Sequence, residues 1–255
     1  MEASLVIIPL VAMGASLLTF ISGFGLGTLL LPVFAVFFPL EVAILLTAIV
    51  HLLNNLFKFG LLWKEVNWPV VLRYGIPGIV GAFLGARLMQ LLGTRSPLFQ
   101  GMLQPVDPLD ITIAALMLIF GSIELSTRLS ARSFPPSFLL PGGIISGFFG
   151  GLSGHQGALR SMFLLRVGLE KQAFLATGIV IACLVDLTRL PVYLASEELH
   201  QVKDQWPILL VSTVAAFAGA WFGKSLIPKV TLSIAQNLVG VLLIVIALLL
   251  STGVI

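Results

Sequence analysis

From Ala3 to Leu40 the chain carries no Lys, Arg, Asp or Glu, and a second such stretch runs from Ser133 to Leu159. One helix needs only about 20 apolar residues to cross the hydrocarbon core of a bilayer, so the first stretch is long enough for two segments. The rest of the chain is nearly as apolar: 58% of its 255 residues are hydrophobic and 10% charged, with a mean hydropathy of +1.10. A water-soluble domain devotes about a quarter of its residues to charge. The bilayer is therefore the expected solvent, and several classes drop out. Cys183 alone cannot build a disulfide scaffold, and a net charge of +3 spread this thinly offers no basic patch to nucleic acid. Met1 to Pro9 lacks the basic start and small-residue cleavage site of a signal peptide, so the first apolar segment is expected to remain as a span.

The first stretch breaks at Gly23-Phe24-Gly25-Leu26-Gly27, and the apolar piece that follows, Thr28 to Phe38, is too short to cross as an ordinary helix. Further apolar segments are expected at 41–63, 69–91, 109–125, 138–153, 158–168, 170–195, 206–226 and 230–252. The stretches 93–108 and 196–205 read as loops, and the Ser-, Arg- and Pro-rich 126–137 reads as a linker. The fold class is an all-α polytopic membrane protein with about eight to ten segments and short or broken helices at Gly-rich turns.

Short matches recur in order on both sides of the linker. Ile21-Ser22-Gly23-Phe24 returns as Ile145-Ser146-Gly147-Phe148, and Leu40-Glu41 with Thr47 returns as Leu169-Glu170 with Thr177. Trp68-Pro69 returns as Trp206-Pro207, and Gly81-Ala82-Phe83-Leu84-Gly85 as Gly219-Ala220-Trp221-Phe222-Gly223. Four matches in register point to a duplication, as in many transporters: a first repeat over 1–125, a linker over 126–137 and a second repeat over 138–255. Five crossings per half would invert the second half. If the two short segments are re-entrant, eight crossings remain and the halves become parallel. With the N-terminus outside, Lys58, Lys64, Arg73, Arg128, Arg132, Arg166, Lys171, Lys224 and Lys229 fall on the cytoplasmic side. Arg87, Arg95, Arg160, Arg189 and Lys203 fall outside, a nine-to-five bias.

Irregular backbone at membrane depth is tolerated where it is buried in protein or lines a polar cavity. Gly23, Gly25 and Gly27, and then Gly151 and Gly154, are the expected backbone lining. Broken helices aim N–H groups at the bilayer interior, a setting suited to an anion. Thr28 beside the first turn and Ser153, His155 and Gln156 in the second are candidate hydrogen-bonding residues; close packing of small residues is the competing reading. The third segment places Thr47, His51, Asn54, Asn55 and Lys58 on one helical face, a stripe that should avoid lipid. Asn54, Asn55 and Lys58 are candidate substrate ligands. Asp186 and Arg189 lie one turn apart on the corresponding helix. Arg189 is a candidate counter-charge, Asp186 and His51 candidates for proton coupling, and a self-neutralising ion pair is the alternative. Gly81/Gly85 and Gly219/Gly223 have the spacing of close helix packing, and Trp63, Trp68 and Trp206 read as interfacial anchors.

Gly151-Leu152-Ser153-Gly154 fits the GxSG of rhomboid-like serine proteases, and His51 with Asn55 fits an HxxxN spacing. The only histidine after Ser153 besides the adjacent His155 is His200, in a polar loop, so no base is placed for the nucleophile. No HExxH and no Walker A motif is present. An enzyme is not expected, and neither a metal nor another cofactor.

The Gly-rich turn with its short Pro-terminated segment (Gly23 to Pro39), the Trp68 helix with Gly81-Ala82-Phe83-Leu84-Gly85-Ala86-Arg87, and their return at Ile145 to Leu169 and Trp206 to Leu226 together carry a family resemblance over nearly the whole chain. It resembles the sulfite exporter TauE/SafE family of bacterial membrane permeases, grouped with toluenesulfonate uptake permeases. The resemblance implies movement of small sulfur-containing anions across the cytoplasmic (inner) membrane, coupled to an ion gradient, by a multi-pass protein. The expected partners are a small anionic solute and the lipid bilayer, with a homo-oligomer left open. An anion channel of the same fold is the alternative. The second turn departs from the family, which commonly has a Gly-Gly-Gly run where this chain reads Ser153-Gly154-His155-Gln156-Gly157-Ala158-Leu159-Arg160; a different substrate within the class is the implied consequence.

Overall fold

The computed structural model describes residues 2–22, 26–130, 132–195, 202, 204–225 and 232–255. The expected backbone-lining Gly23 and Gly25, and the polar residues 196–200, lie outside that set. The chain is an all-α polytopic membrane protein. Its main helices are α1 (Glu2–Ser22), α2 (Leu26–Ala35), α3 (Leu40–Leu62), α4 (Trp68–Gly93), α5 (Pro108–Leu125), α6 (Leu139–Ser153), α7 (Gly157–Leu164), α8 (Lys171–Leu194), α9 (Trp206–Ser225) and α10 (Leu232–Ser251). Five of them, α3, α4, α5, α8 and α9, are long and apolar enough to cross a membrane on their own, while α1, α2 and α10 contribute shorter apolar runs. A π-helical turn at Val71–Gly75 interrupts α4, and the stretch read as a loop at 93–108 contains a two-residue hairpin pairing Phe99 with Val106.

Local chemistry explains the ends. Asn67 caps α4 by accepting from the Val70 N–H at 3.2 Å, with Pro69 in the first turn where its missing donor costs nothing. Pro108 opens α5, and Asp110 reaches back to the Asp107 N–H at 2.8 Å. Gly154 ends α6 at φ +82°, a left-handed position that favours glycine.

Burial sorts the helices. About 61% of α3's most apolar window and 67% of α8's is buried, against 39% in α4 and α9, so α3 and α8 form the centre. Leu72, Ile76, Val80, Phe83 and Leu84 on α4 face outward, as do Leu210, Val211, Val214, Trp221 and Phe222 on α9; in a bilayer that surface meets lipid. Trp63, Trp68 and Trp206 are exposed at helix ends.

Helix pairing crosses the middle of the chain. α1 packs on α9, α4 on α6, α3 on α8 and α5 on α10. The α4–α6 contact is backbone on backbone: a Cβ at Gly81 would lie 2.1 Å from the Ile144 carbonyl, at Gly85 2.0 Å from that of Phe148, at Gly147 2.1 Å from that of Gly78 and at Gly151 2.0 Å from that of Ala82. Gly219 of α9 meets the Met13 carbonyl of α1 in the same way, at 2.1 Å. Helices in lipid gain no hydrophobic drive from pairing, so this close approach supplies the van der Waals contact that holds them.

The contacts also set the sense of each helix. Taking the end where α3 begins as the upper end, α4 returns to it, since Gly93 lies against Glu41, and α5 starts there. α6 runs upward beside α4, Gly143 meeting Tyr74 and Gly151 meeting Ala82. α7 then turns back down: Phe163 packs against Gly142 and the ring of Tyr74, and the Met162 carbonyl accepts from the Phe134 N–H ahead of α6. α6 and α7 therefore form a re-entrant hairpin from the lower end. α1 runs parallel to α3, with Ser16 level with Asn54 and Thr19 with Lys58, and α2 starts beside His51 and leads straight back to the start of α3. That is a second hairpin, from the upper end. The short helices return with their long partners, so α1–α2 and α6–α7 are hairpins entered from opposite ends and not single re-entrant segments between crossings, which removes the ground for expecting parallel halves.

Candidate functional site

The two hairpin tips meet at mid-depth. Cβ positions built at Gly27 lie 3.4 Å from His51 Cδ2 and 3.6 Å from the Gly154 carbonyl. Between the tips is a small, partly open cavity of about 30 Å³, room for one or two waters. Its wall comes from α1 (Thr19), α2 (Leu26, Gly27, Thr28), α3 (His51, Asn55, Lys58), the second tip (Gly154, Gln156, Gly157), α7 (Arg160) and α8 (Leu175, Ile179). Of the residues expected to act, the structure brings Thr28, His51, Asn55, Lys58, Gln156, Gly27 and Gly154 together here. Gln156 is 1% exposed, and neither its Oε1 nor its Nε2 has a hydrogen-bond partner among the described residues.

Behind this wall lies a charged cluster at the α3–α8 crossing. Asp186 accepts from His51 Nδ1 at 2.6 Å through one oxygen; through the other it accepts from Arg189 Nε at 2.9 Å and pairs with Nη2 at 2.8 Å. Asn55 Nδ2 lies 3.2 Å from His51 Nε2 and 3.3 Å from Nδ1, and the carboxylate contact calls for a proton on Nδ1. Asp186 and Arg189 are fully enclosed, whereas the His51 side chain keeps 12% exposure. The ring thus stands between the cavity and the carboxylate. Arg189 also reaches the end of α6, with Nη1 3.0 Å from the Cβ position of Gly154, and Tyr193 donates from its hydroxyl to the Gly151 carbonyl. Gly151 itself serves the α4–α6 contact, away from the cavity.

Asn54 does not line the cavity. In the amide orientation that satisfies its neighbours, its nitrogen donates to Ser16 Oγ at 2.9 Å and to the Ala216 carbonyl at 3.1 Å, and its oxygen accepts from Lys58 Nζ at 2.9 Å. Lys58 donates in addition to Thr19 Oγ1 and, at 3.4 Å, to the Ser16 carbonyl. Asn54 is thereby a positioning residue that ties α1, α3 and α9 together around the Lys58 ammonium. Replacing it with leucine strands buried partners, and a loss of about 1–3 kcal/mol is expected; detergent-solubilised thermal unfolding should show this, and an unchanged midpoint would refute the role.

Ser153 and His155 also point away. The Ser153 hydroxyl donates to the Phe149 carbonyl at 3.1 Å and lies 3.0 Å from His155 Nδ1, and the His155 ring stacks on Phe120 of α5 at 5.5 Å. Consecutive residues of a tight turn face opposite sides, so only Gln156 of the three reaches the cavity. Two polar side chains of the wall, Thr19 and Arg160, are not among the residues the sequence singles out for the site. Arg160 was counted among charges outside the membrane, yet it is 6% exposed at the bundle centre. Its place one turn after Gln156, in a helix too short to cross, was the available signal. Lys58 and Arg189 are likewise buried, so none of the three belongs in the count of loop charges.

Central polar helices and two opposed re-entrant hairpins, with a small cavity between their tips, make up a polytopic membrane protein with a candidate internal site. The sulfite exporter TauE/SafE family model matches residues 8–250, and the chain belongs to that family, one of membrane transporters. No curated protein and no solved structure matches the chain.

Proposed function

We propose that this protein is a secondary transporter of small anions, sulfur oxyanions and sulfonates first among them, and that the solute is held in the central cavity. The observation that carries this reading is the donor-rich wall: buried Lys58 and Arg160, the unpartnered amide of Gln156 and the hydroxyls of Thr19 and Thr28, with no carboxylate among the described lining residues. Cations and hydrogen-bond donors converging at low dielectric suit an oxyanion. His51, between the cavity and Asp186, is the proposed route by which the solute senses a proton, and Asp186→Asn should uncouple flux from an imposed pH gradient. Hydrolysis is disfavoured because the Ser153 hydroxyl is bonded to a backbone carbonyl off the cavity.

The cross-paired helices support an inverted duplication, with first helix on fourth in both directions, third on third and fifth on fifth. Lys64, Arg73, Arg128, Arg132, Arg166 and Lys171 belong to the lower end and Arg87 and Arg95 to the upper. With the three buried cations set aside, the positive-inside bias strengthens, which supports an inner-membrane protein whose lower end faces the cytoplasm. Uptake of sulfite, thiosulfate, sulfonates and small carboxylates by proteoliposomes tests the reading: at least one sulfur anion should be taken up above empty vesicles, and uptake of none would refute it.

A further inference from the structure

We infer that the carboxamide of Gln156 reads a proton on the transported anion; this rests on the transport reading above. The solute it fits is a singly protonated oxyacid anion, hydrogensulfite ahead of the sulfite dianion or a sulfonate. Gln156 stands at the tip of the second hairpin and lines the cavity. Its backbone is engaged on both sides: the N–H donates to the Gly154 carbonyl at 2.9 Å, and the carbonyl accepts from the Arg160 N–H at 2.9 Å and from Ser146 Oγ at 3.3 Å. The side chain lies across α6, where a Cβ at Gly150 would lie 3.0 Å from Gln156 Cβ and 3.3 Å from its Cδ. Main chain and side chain are thus both seated, and the amide is buried with Oε1 and Nε2 unpartnered among the described residues.

A buried donor or acceptor left unmade costs more than one bond gains, so a seated amide with both ends open marks the place of a missing partner. Water can serve both atoms while the cavity is empty, and a solute that displaces it must replace both bonds. Nε2 only donates and Oε1 only accepts. An anion without a proton has oxygens for Nε2 and nothing for Oε1. An oxyacid anion that keeps one O–H beside a bare oxygen serves both in a cyclic pair of hydrogen bonds. The ionisable groups around the amide are His51 and Lys58 of α3 and Arg160 of α7 in the wall, with Asp186 and Arg189 of α8 behind them. The proton of the proposed coupling then crosses on the solute, and Asp186 with His51 governs its arrival at the cavity.

The test is the pH dependence of sulfite uptake by proteoliposomes carrying the full chain, with the same pH on both sides and reconstituted protein quantified for each variant. In the wild type the half-saturating concentration of total sulfite should rise about tenfold for each pH unit above the acid's second ionisation, because only the protonated fraction is bound. Gln156→Leu should flatten this rise, since the acceptor for the O–H is gone. Methanesulfonate, singly charged but without an O–H, should compete with sulfite below that ionisation roughly tenfold more weakly than sulfite itself binds. Should Gln156→Leu fail to reconstitute, the wild-type profile and the methanesulfonate competition decide. A half-saturating concentration level with pH, a rise that persists unchanged in Gln156→Leu, or methanesulfonate competing as tightly as sulfite overturns the assignment and leaves the transport reading standing. So does a wild type that takes up a sulfonate but no sulfite. A wild type that takes up no sulfite, thiosulfate or sulfonate overturns both.

Discussion

Gly81→Ala is expected to prevent the chain from reaching a stable, monodisperse fold in detergent, although it adds one methyl group. The new carbon would lie 2.1 Å from the Ile144 carbonyl oxygen and 2.8 Å from the Phe148 nitrogen. Both are backbone atoms of α6, which no rotamer change can move aside. α4 and α6 would have to separate, and with them the neighbouring contacts at Gly85, Gly147 and Gly151, each within 2.1 Å of a facing carbonyl. Overpacking of a core costs about 1–3 kcal/mol and sometimes more, and here the whole interface must open. Gly14→Ala and Gly60→Ala supply the contrast: a Cβ at either position meets nothing within 4 Å, and each replaces glycine in a helix by a better helix former. Size-exclusion profiles and thermal unfolding of the three variants should place Gly81→Ala far below wild type and the other two at or above it. Equal behaviour of all three would mean that the α4–α6 contact is looser than described.

The second large effect is expected at Asp186. Removing this carboxylate leaves Arg189, 1% exposed, without its counter-charge and His51 without its acceptor. Breaking a buried ion pair by deleting one partner costs about 3–5 kcal/mol, whereas replacing both partners by apolar groups can be close to neutral. Asp186→Ala should therefore lower the unfolding midpoint strongly. Asp186→Leu combined with Arg189→Met should recover much of that loss while concentrative uptake stays absent, because the coupling group is gone. Recovery of stability without concentrative uptake separates the functional role of the cluster from its structural one. A double variant as unstable as Asp186→Ala would show that the pair contributes through packing and not through charge.

The sequence was legible where charge marks depth. Helical segments follow from the spacing of ionisable residues, and the observed helices begin and end within a few residues of those limits. The polar stripe on α3 was equally visible, because a helix repeats its faces every three to four residues. What a sequence of this kind conceals is the side of a turn on which each residue falls. Ser153, His155 and Gln156 share one polar tip, yet the first two are turned to the α6 backbone and to Phe120 and only Gln156 meets the cavity. Asn54 and Asn55 are neighbours, and one braces α1 and α9 while the other faces His51. Arg160 was hidden for a related reason: a charge in a short apolar segment looks like a loop residue until the hairpin brings that segment back to the centre.

The account turns on concentrative movement of an anion through the cavity between the two hairpin tips. Proteoliposomes with equal sulfite on both sides and an imposed pH gradient test it most directly. Wild type should accumulate sulfite above the external concentration, and Asp186→Asn should not. Sulfite that equilibrates and never exceeds the external level, with or without the pH gradient, would contradict a coupled transporter and leave a facilitator in its place.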